Sequence, residues 1–84
     1  MKLTQAQRRA LQSVRSERCY RHFSANGNTL KSKDGCGSAV LWKLERMKLI
    51  RDGRDIGKVG LTATNLMELT DAGRMALRQA EEQS

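Results

Sequence analysis

The chain has 84 residues and a mass of 9.5 kDa, enough for one domain and too little for two independent cores. Hydrophobic residues make up 38% and charged residues 30%, a globular balance rather than a disordered one, and no apolar run approaches the roughly 20 residues of a membrane span. Lysine and arginine number 16 against 9 acidic residues, a net charge of +7 that points to a polyanionic partner, most often nucleic acid.

The charge is uneven. Residues 1–58 hold 14 basic and 5 acidic residues, a balance of +9; residues 59–84 hold 2 and 4, a balance of −2. Basicity belongs to the first two thirds. The start, Met1 to Arg9, turns polar at once, so no signal peptide is expected and a reducing, cytoplasmic compartment is. Cys19 and Cys36 are then free thiols. Cys19 and His22 have zinc-like spacing, but there is one histidine and no second pair, so no metal or other cofactor is expected.

The first predicted element is a helix from Thr4, which is three residues before Gln7 in a capping-box spacing, to about Glu17 or Arg18. Leu3, Ala6, Ala10, Leu11 and Val14 form its apolar stripe. A hairpin over residues 19–33 follows, turning at Asn26-Gly27, with Phe23 opposite Leu30 and Tyr20, His22, Lys31 and Lys33 on the other face. The competing reading is a short helix over Thr29–Asp34. After a glycine loop, Ser38 caps a second helix, Ala39 to Lys48, with Val40, Leu41, Leu44, Met47 and Lys48 on one side and Ala39, Trp42, Lys43 and Arg46 on the other. Leu49 to Arg51 begins an extended segment. Asp52 to Gly60 reads as a loop or irregular hairpin tip, and the later part of Leu61–Leu69 as a returning strand. Thr70 caps a last helix, Asp71 to about Glu82, whose apolar side holds Met75, Ala76, Leu77 and Ala80.

Two ordered patterns carry a resemblance. Leu41-Trp42-Lys43-Leu44-Glu45-Arg46-Met47-Lys48-Leu49-Ile50-Arg51 precedes a charged glycine loop, and Glu68-Leu69-Thr70-Asp71-Ala72-Gly73-Arg74 follows it. Together they resemble the winged helix-turn-helix domains of MarR-type and related bacterial and phage regulators, over roughly residues 38–78. The resemblance implies an α+β fold: a single winged-helix domain over residues 1–84, three helices with a hairpin in the N-terminal half and a wing in the C-terminal half. Leu44, Leu49, Leu69 and Leu77 would pack behind the recognition helix. There are two departures: Lys48 stands where the family has glycine, and the short helix before the recognition helix is replaced by the hairpin.

The resemblance implies double-stranded DNA as the partner and transcription regulation of a phage or plasmid type as the role. The implied DNA-binding residues are Ser38, Trp42, Lys43 and Arg46 on the second helix, Arg51, Arg54 and Lys58 on the wing, and Lys31 and Lys33 extending the basic surface. The alternative is a protein-binding winged helix, an inhibitor or adaptor of host machinery, with Trp42 as an exposed anchor; Trp42 taken alone reads equally as a half-buried core side chain. A monomer or weak homodimer is expected. No triad, Walker or dinucleotide pattern, or paired-carboxylate site is legible, so no catalysis is expected.

Overall fold

The computed structural model describes residues 2–59 and 62–83, and for Lys58, Val59 and Thr62 the backbone alone. In chain order the elements are α1 (Gln5–Arg15), β1 (Cys19–Ser24), β2 (Gly27–Ser32), α2 (Ser38–Arg46), β3 (Ile50–Val59), β4 (Thr62–Leu69) and α3 (Asp71–Glu82). The class is α+β. Two hairpins join through β1 and β4 into one antiparallel sheet of order β2-β1-β4-β3. The helices pack against one of its faces. Among the described residues no helix is long and apolar enough to cross a membrane.

Alternation along the strands sorts the side chains. Cys19, Leu30, Ile50, Met67 and Leu69 turn toward the helices and are buried. They meet Ala10, Leu11 and Val14 of α1, Leu41 and Leu44 of α2, and Ala76 and Leu77 of α3. Leu49, on the corner between α2 and β3, completes this core. Each buried leucine contributes roughly 1.5–3 kcal/mol. Met75 departs from the expected apolar side of α3: it is exposed.

Helix α1 opens with the expected capping box: Thr4 Oγ1 accepts from the Gln7 N–H at 3.1 Å, and Gln7 Oε1 accepts from the Thr4 N–H at 3.0 Å. It ends at Arg15, short of the expected Glu17 or Arg18. The stop has no glycine to announce it. Glu17 adopts φ 61°, its N–H bonds the Val14 carbonyl, and the Arg18 N–H bonds the Ser13 carbonyl. This is a Schellman turn with glutamate in the left-handed place. Lys48 does the same for α2: at φ 62° its N–H bonds the Glu45 carbonyl, and the Leu49 N–H bonds the Leu44 carbonyl. Lysine thus takes the backbone conformation for which the resembled pattern carries glycine.

The first hairpin forms, but with its register shifted by two residues. Ser24 pairs with Gly27, so Ala25-Asn26 is the turn, and Arg21, not Phe23, lies opposite Leu30. Gly27 supplies the left-handed conformation at φ 124°, instead of sharing it with Asn26. A shift of two preserves the faces. Helix α2 is capped by Gly37, which makes no side-chain hydrogen bond; Ser38 is its first helical residue rather than its cap.

The segment from Asp52, expected as a loop or an irregular hairpin tip, is an irregular hairpin strand. β3 runs on to Val59, with register shifts between Asp52 and Asp55 and between Asp55 and Gly57. Such bulges absorb the glycines that suggested a loop. A Cβ on Gly53 would stand 2.8 Å from the Leu66 carbonyl oxygen. Gly60 and Leu61 lie outside the described residues.

Helix α3 is pinned to the α2–β3 corner. Thr70 Oγ1 accepts from the Gly73 N–H at 3.0 Å and donates to the Lys48 carbonyl at 2.7 Å. A Cβ on Gly73 would lie 2.0 Å from the Leu49 carbonyl oxygen. The Arg74 guanidinium bonds the Leu69 carbonyl and the Asp71 carboxylate. The Leu-Thr-x-x-Gly-Arg pattern therefore has a local structural reason at each of its four fixed places.

Candidate nucleic-acid interface

The charge that organises this region is a buried one. Arg21, on central strand β1, points inward and is buried. Its guanidinium bonds Glu45 of α2 and, at 2.8 Å, Asp52 of β3. It also stacks 5.2 Å from the Trp42 ring centroid and 5.9 Å from that of Phe23. Both geometries are within cation–π range. The Nε has no hydrogen-bond partner. The available signal was positional: alternation places residue 21 on the same face as Cys19 and Phe23.

This cluster decides where Trp42 goes. The expectation that it faces outward is corrected: it is half-buried, packed against the core and stacked on Arg21. On the helical wheel it flanks the buried Leu41–Leu44 side, toward the sheet. Lys43 and Arg46 do face outward and are exposed. Neither makes an ion pair among the described residues. Glu45, between them in sequence, turns to Arg21.

The remaining expected residues fall in three places. Ser38 is exposed at the start of α2. Lys31 and Lys33 are exposed on and just after edge strand β2, on the far side of the sheet from α2 by alternation. Arg51, Arg54 and Lys58 are on β3. Arg51 is bonded to Glu68 at 2.7 Å. Arg54 is exposed at the bulge, and Lys58 pairs with Ala63 through the backbone. Helix α2 and β3 are joined through Met47, Lys48 and Leu49 alone, so the outward face of the helix and the β3–β4 hairpin are rooted at one corner. Lys31 and Lys33 are set apart from this corner on the opposite edge strand, and Arg54 lines a cleft with Arg15, Glu17 and Arg74. The molecule is elongated, 45 × 20 × 20 Å.

An open cleft of about 360 Å³ lies between the end of α1 and β4, lined by Val14, Arg15, Met67, Arg74 and Arg54 among others. Arg15 and Arg74 are already bonded to carboxylates. Cys19 Sγ donates to Ser13 Oγ at 3.2 Å, and burial raises the thiol pKa above its ordinary value. Cys36 is half-buried.

No protein-family model, curated protein or solved structure matches this chain.

Proposed function

We propose that the chain is a small duplex-DNA-binding domain of winged-helix type, serving transcription regulation, with α2 as recognition helix and the β3–β4 hairpin as wing. One observation carries this reading. Glu45 and Asp52, two of the three carboxylates that would interrupt a basic surface along α2 and β3, are drawn to the buried Arg21, while Asp55 is exposed on β3 and accepts from the Gly57 N–H. Lys43, Arg46 and Arg54 are left as exposed cations without ion-pair partners among the described residues. A protein-binding role would want Trp42 as an open anchor, and Trp42 is half-buried against the core with its ring stacked on Arg21 instead. The balance of +9 in residues 1–58 supplies the long-range attraction to phosphate.

A salt titration of binding to random duplex DNA tests the proposal. Each neutralised phosphate releases counterions, so log affinity falls against log salt with a slope near −0.9 per contact. Lys43, Arg46, Arg54 and Lys58 give an expected slope of roughly −3 to −4. Arg46→Ala and Lys58→Ala each flatten it by about one unit with the fold intact. Arg78→Ala, on the acidic C-terminal segment, leaves it unchanged. Absence of duplex binding at low salt overturns the reading and favours a protein partner.

A further inference from the structure

The helices cover one face of the sheet and leave the other open. Alternation from the pairing register places Tyr20 and His22 of central strand β1 on that open face, beside Leu66 and Thr64 of β4. Lys31 of β2 lies across from Tyr20. None of these five residues is buried, whereas the inward residues Cys19, Arg21, Leu30 and Met67 are. His22 Nδ1 and Thr64 Oγ1 stand 3.2 Å apart, which holds the imidazole in place on the sheet. Two aromatic rings thus stand two residues apart on the middle of a flat platform. Their spacing is about 7 Å along the strand.

The charge on this face selects the occupant. Glu68 is the described carboxylate that alternation puts there, and it is bonded to Arg51. Lys31 is exposed and has no ion-pair partner among the described residues, and Lys33 continues the same edge through its N–H to the Arg18 carbonyl. The face therefore offers cations along an edge and π-faces in the centre. A duplex has its bases stacked internally and cannot present them to a flat sheet. A single strand can stack bases on the rings and run its phosphates past the lysines. An apolar protein surface would find little here beyond Leu66 and the ring of Tyr20.

We propose that the open sheet face binds single-stranded nucleic acid, with Tyr20 and His22 stacking bases and Lys31 contacting phosphate. This surface is on the opposite side of the molecule from Lys43 and Arg46 and does not depend on the duplex reading.

The test is fluorescence anisotropy of the full chain with a labelled oligothymidylate about 12 nucleotides long, within the length one such platform engages. A random duplex is measured beside it. Tyr20→Ala and His22→Ala should each weaken oligothymidylate binding about 5- to 150-fold, the range for loss of one base–aromatic stack. Tyr20→Phe keeps the π-face and should bind as the wild type. Lys31→Ala should flatten the single-strand salt slope by about 0.7. Lys43→Ala and Arg46→Ala should leave single-strand affinity within twofold. In the wild-type chain, NMR titration with the oligomer should shift the amides of β1 and β4 first, which needs no variant to fold. Undetectable oligothymidylate binding at low salt overturns the proposal. So does binding that Tyr20→Ala and His22→Ala leave intact, or binding lost with Lys43 and Arg46, which places the strand on α2. Loss of duplex binding alone leaves this proposal standing and removes the other.

Discussion

Gly73 and Lys48 flank one corner and fail in opposite directions when exchanged for their neighbours' chemistry. At Gly73 the obstacle is the fixed Leu49 carbonyl oxygen, 2.0 Å from where a Cβ would stand. The oxygen belongs to backbone, so relief requires α3 to move off the corner. Gly73→Ala should therefore destabilise by about 1–3 kcal/mol or more, the range for overpacking, read as a lower urea midpoint. At Lys48 the strain is conformational, a left-handed φ of 62° on a residue with a Cβ. Lys48→Gly should stabilise by about 0.5–1 kcal/mol, since the left-handed state costs a non-glycine residue roughly 1–2 kcal/mol and glycine's extra unfolded-state entropy returns part of it. A Lys48→Gly variant with an unchanged or lower midpoint would show that the lysine side chain offsets its own strain. These residues explain what could and could not be read ahead. The Thr70 cap and the Thr4–Gln7 box were legible because side-chain oxygens at fixed spacing announce them. The stops at Glu17 and Lys48 were not, because a charged residue in the left-handed region leaves no compositional trace.

Helix α2 shows how far periodicity reaches at the scale of an element. The wheel identifies Leu41 and Leu44 as core and Lys43 and Arg46 as surface, and the structure agrees. It fails for Trp42, at the flank, because the flank is decided by what the sheet places opposite. There the sheet places Arg21, a buried cation that hydropathy assigns to water. The expected tip of the first hairpin failed for a related reason: Asn26-Gly27 was read as the two central residues, whereas Gly27 alone takes the left-handed state and pairs with Ser24. The faces survived because the shift was even. The open-face group Tyr20, His22 and Lys31 was therefore legible from the sequence, while the Arg21 cluster was not. Leu44 is fully buried, so Leu44→Ala should cost about 2–5 kcal/mol, and a loss below about 0.5 kcal/mol would place the core elsewhere. Arg21→Ala should cost less than the 3–5 kcal/mol typical of a broken buried pair, about 1–3 kcal/mol. The reason is that Glu45 and Asp52 are 27% and 38% exposed and regain water. The same variant frees both carboxylates beside Lys43 and Arg46. It should weaken duplex binding although Arg21 touches no phosphate. Unchanged affinity in a folded Arg21→Ala protein would remove Glu45 and Asp52 from the argument for a continuous basic surface.

At the scale of the whole molecule, two of the exposed ionic ties join separate segments outside the sheet. Arg15 grips Glu81 with two bonds of 2.9 and 3.0 Å, joining the end of α1 to the last turn of α3. Arg18 bonds Asp34 at 2.5 Å, joining the turn after α1 to the loop before α2. The hydrogen bonds from Arg15 lower the Glu81 pKa, and Ser13 and Arg18 nearby lower that of Asp34. A carboxylate whose folded pKa is depressed holds its proton less tightly in the native state than in the unfolded chain. Its stabilisation is complete above the unfolded pKa, 4.5 for the glutamate and 3.8 for the aspartate, and disappears as pH falls through the lower folded value. Stability from these ties should therefore be level from neutral pH down to about 5 and decline below it. Acid also removes the other negative charges from a chain already at +7, and the growing self-repulsion steepens the decline. Comparing wild type with a Glu81→Gln, Asp34→Asn variant separates the two effects, because repulsion acts on both proteins. The gap between their urea midpoints should be present at neutral pH, close toward the acid end, and shrink in high salt, since both ties are solvent-exposed. A gap of constant size at every pH would mean that the substitutions act through packing and that the ties carry none of the pH dependence.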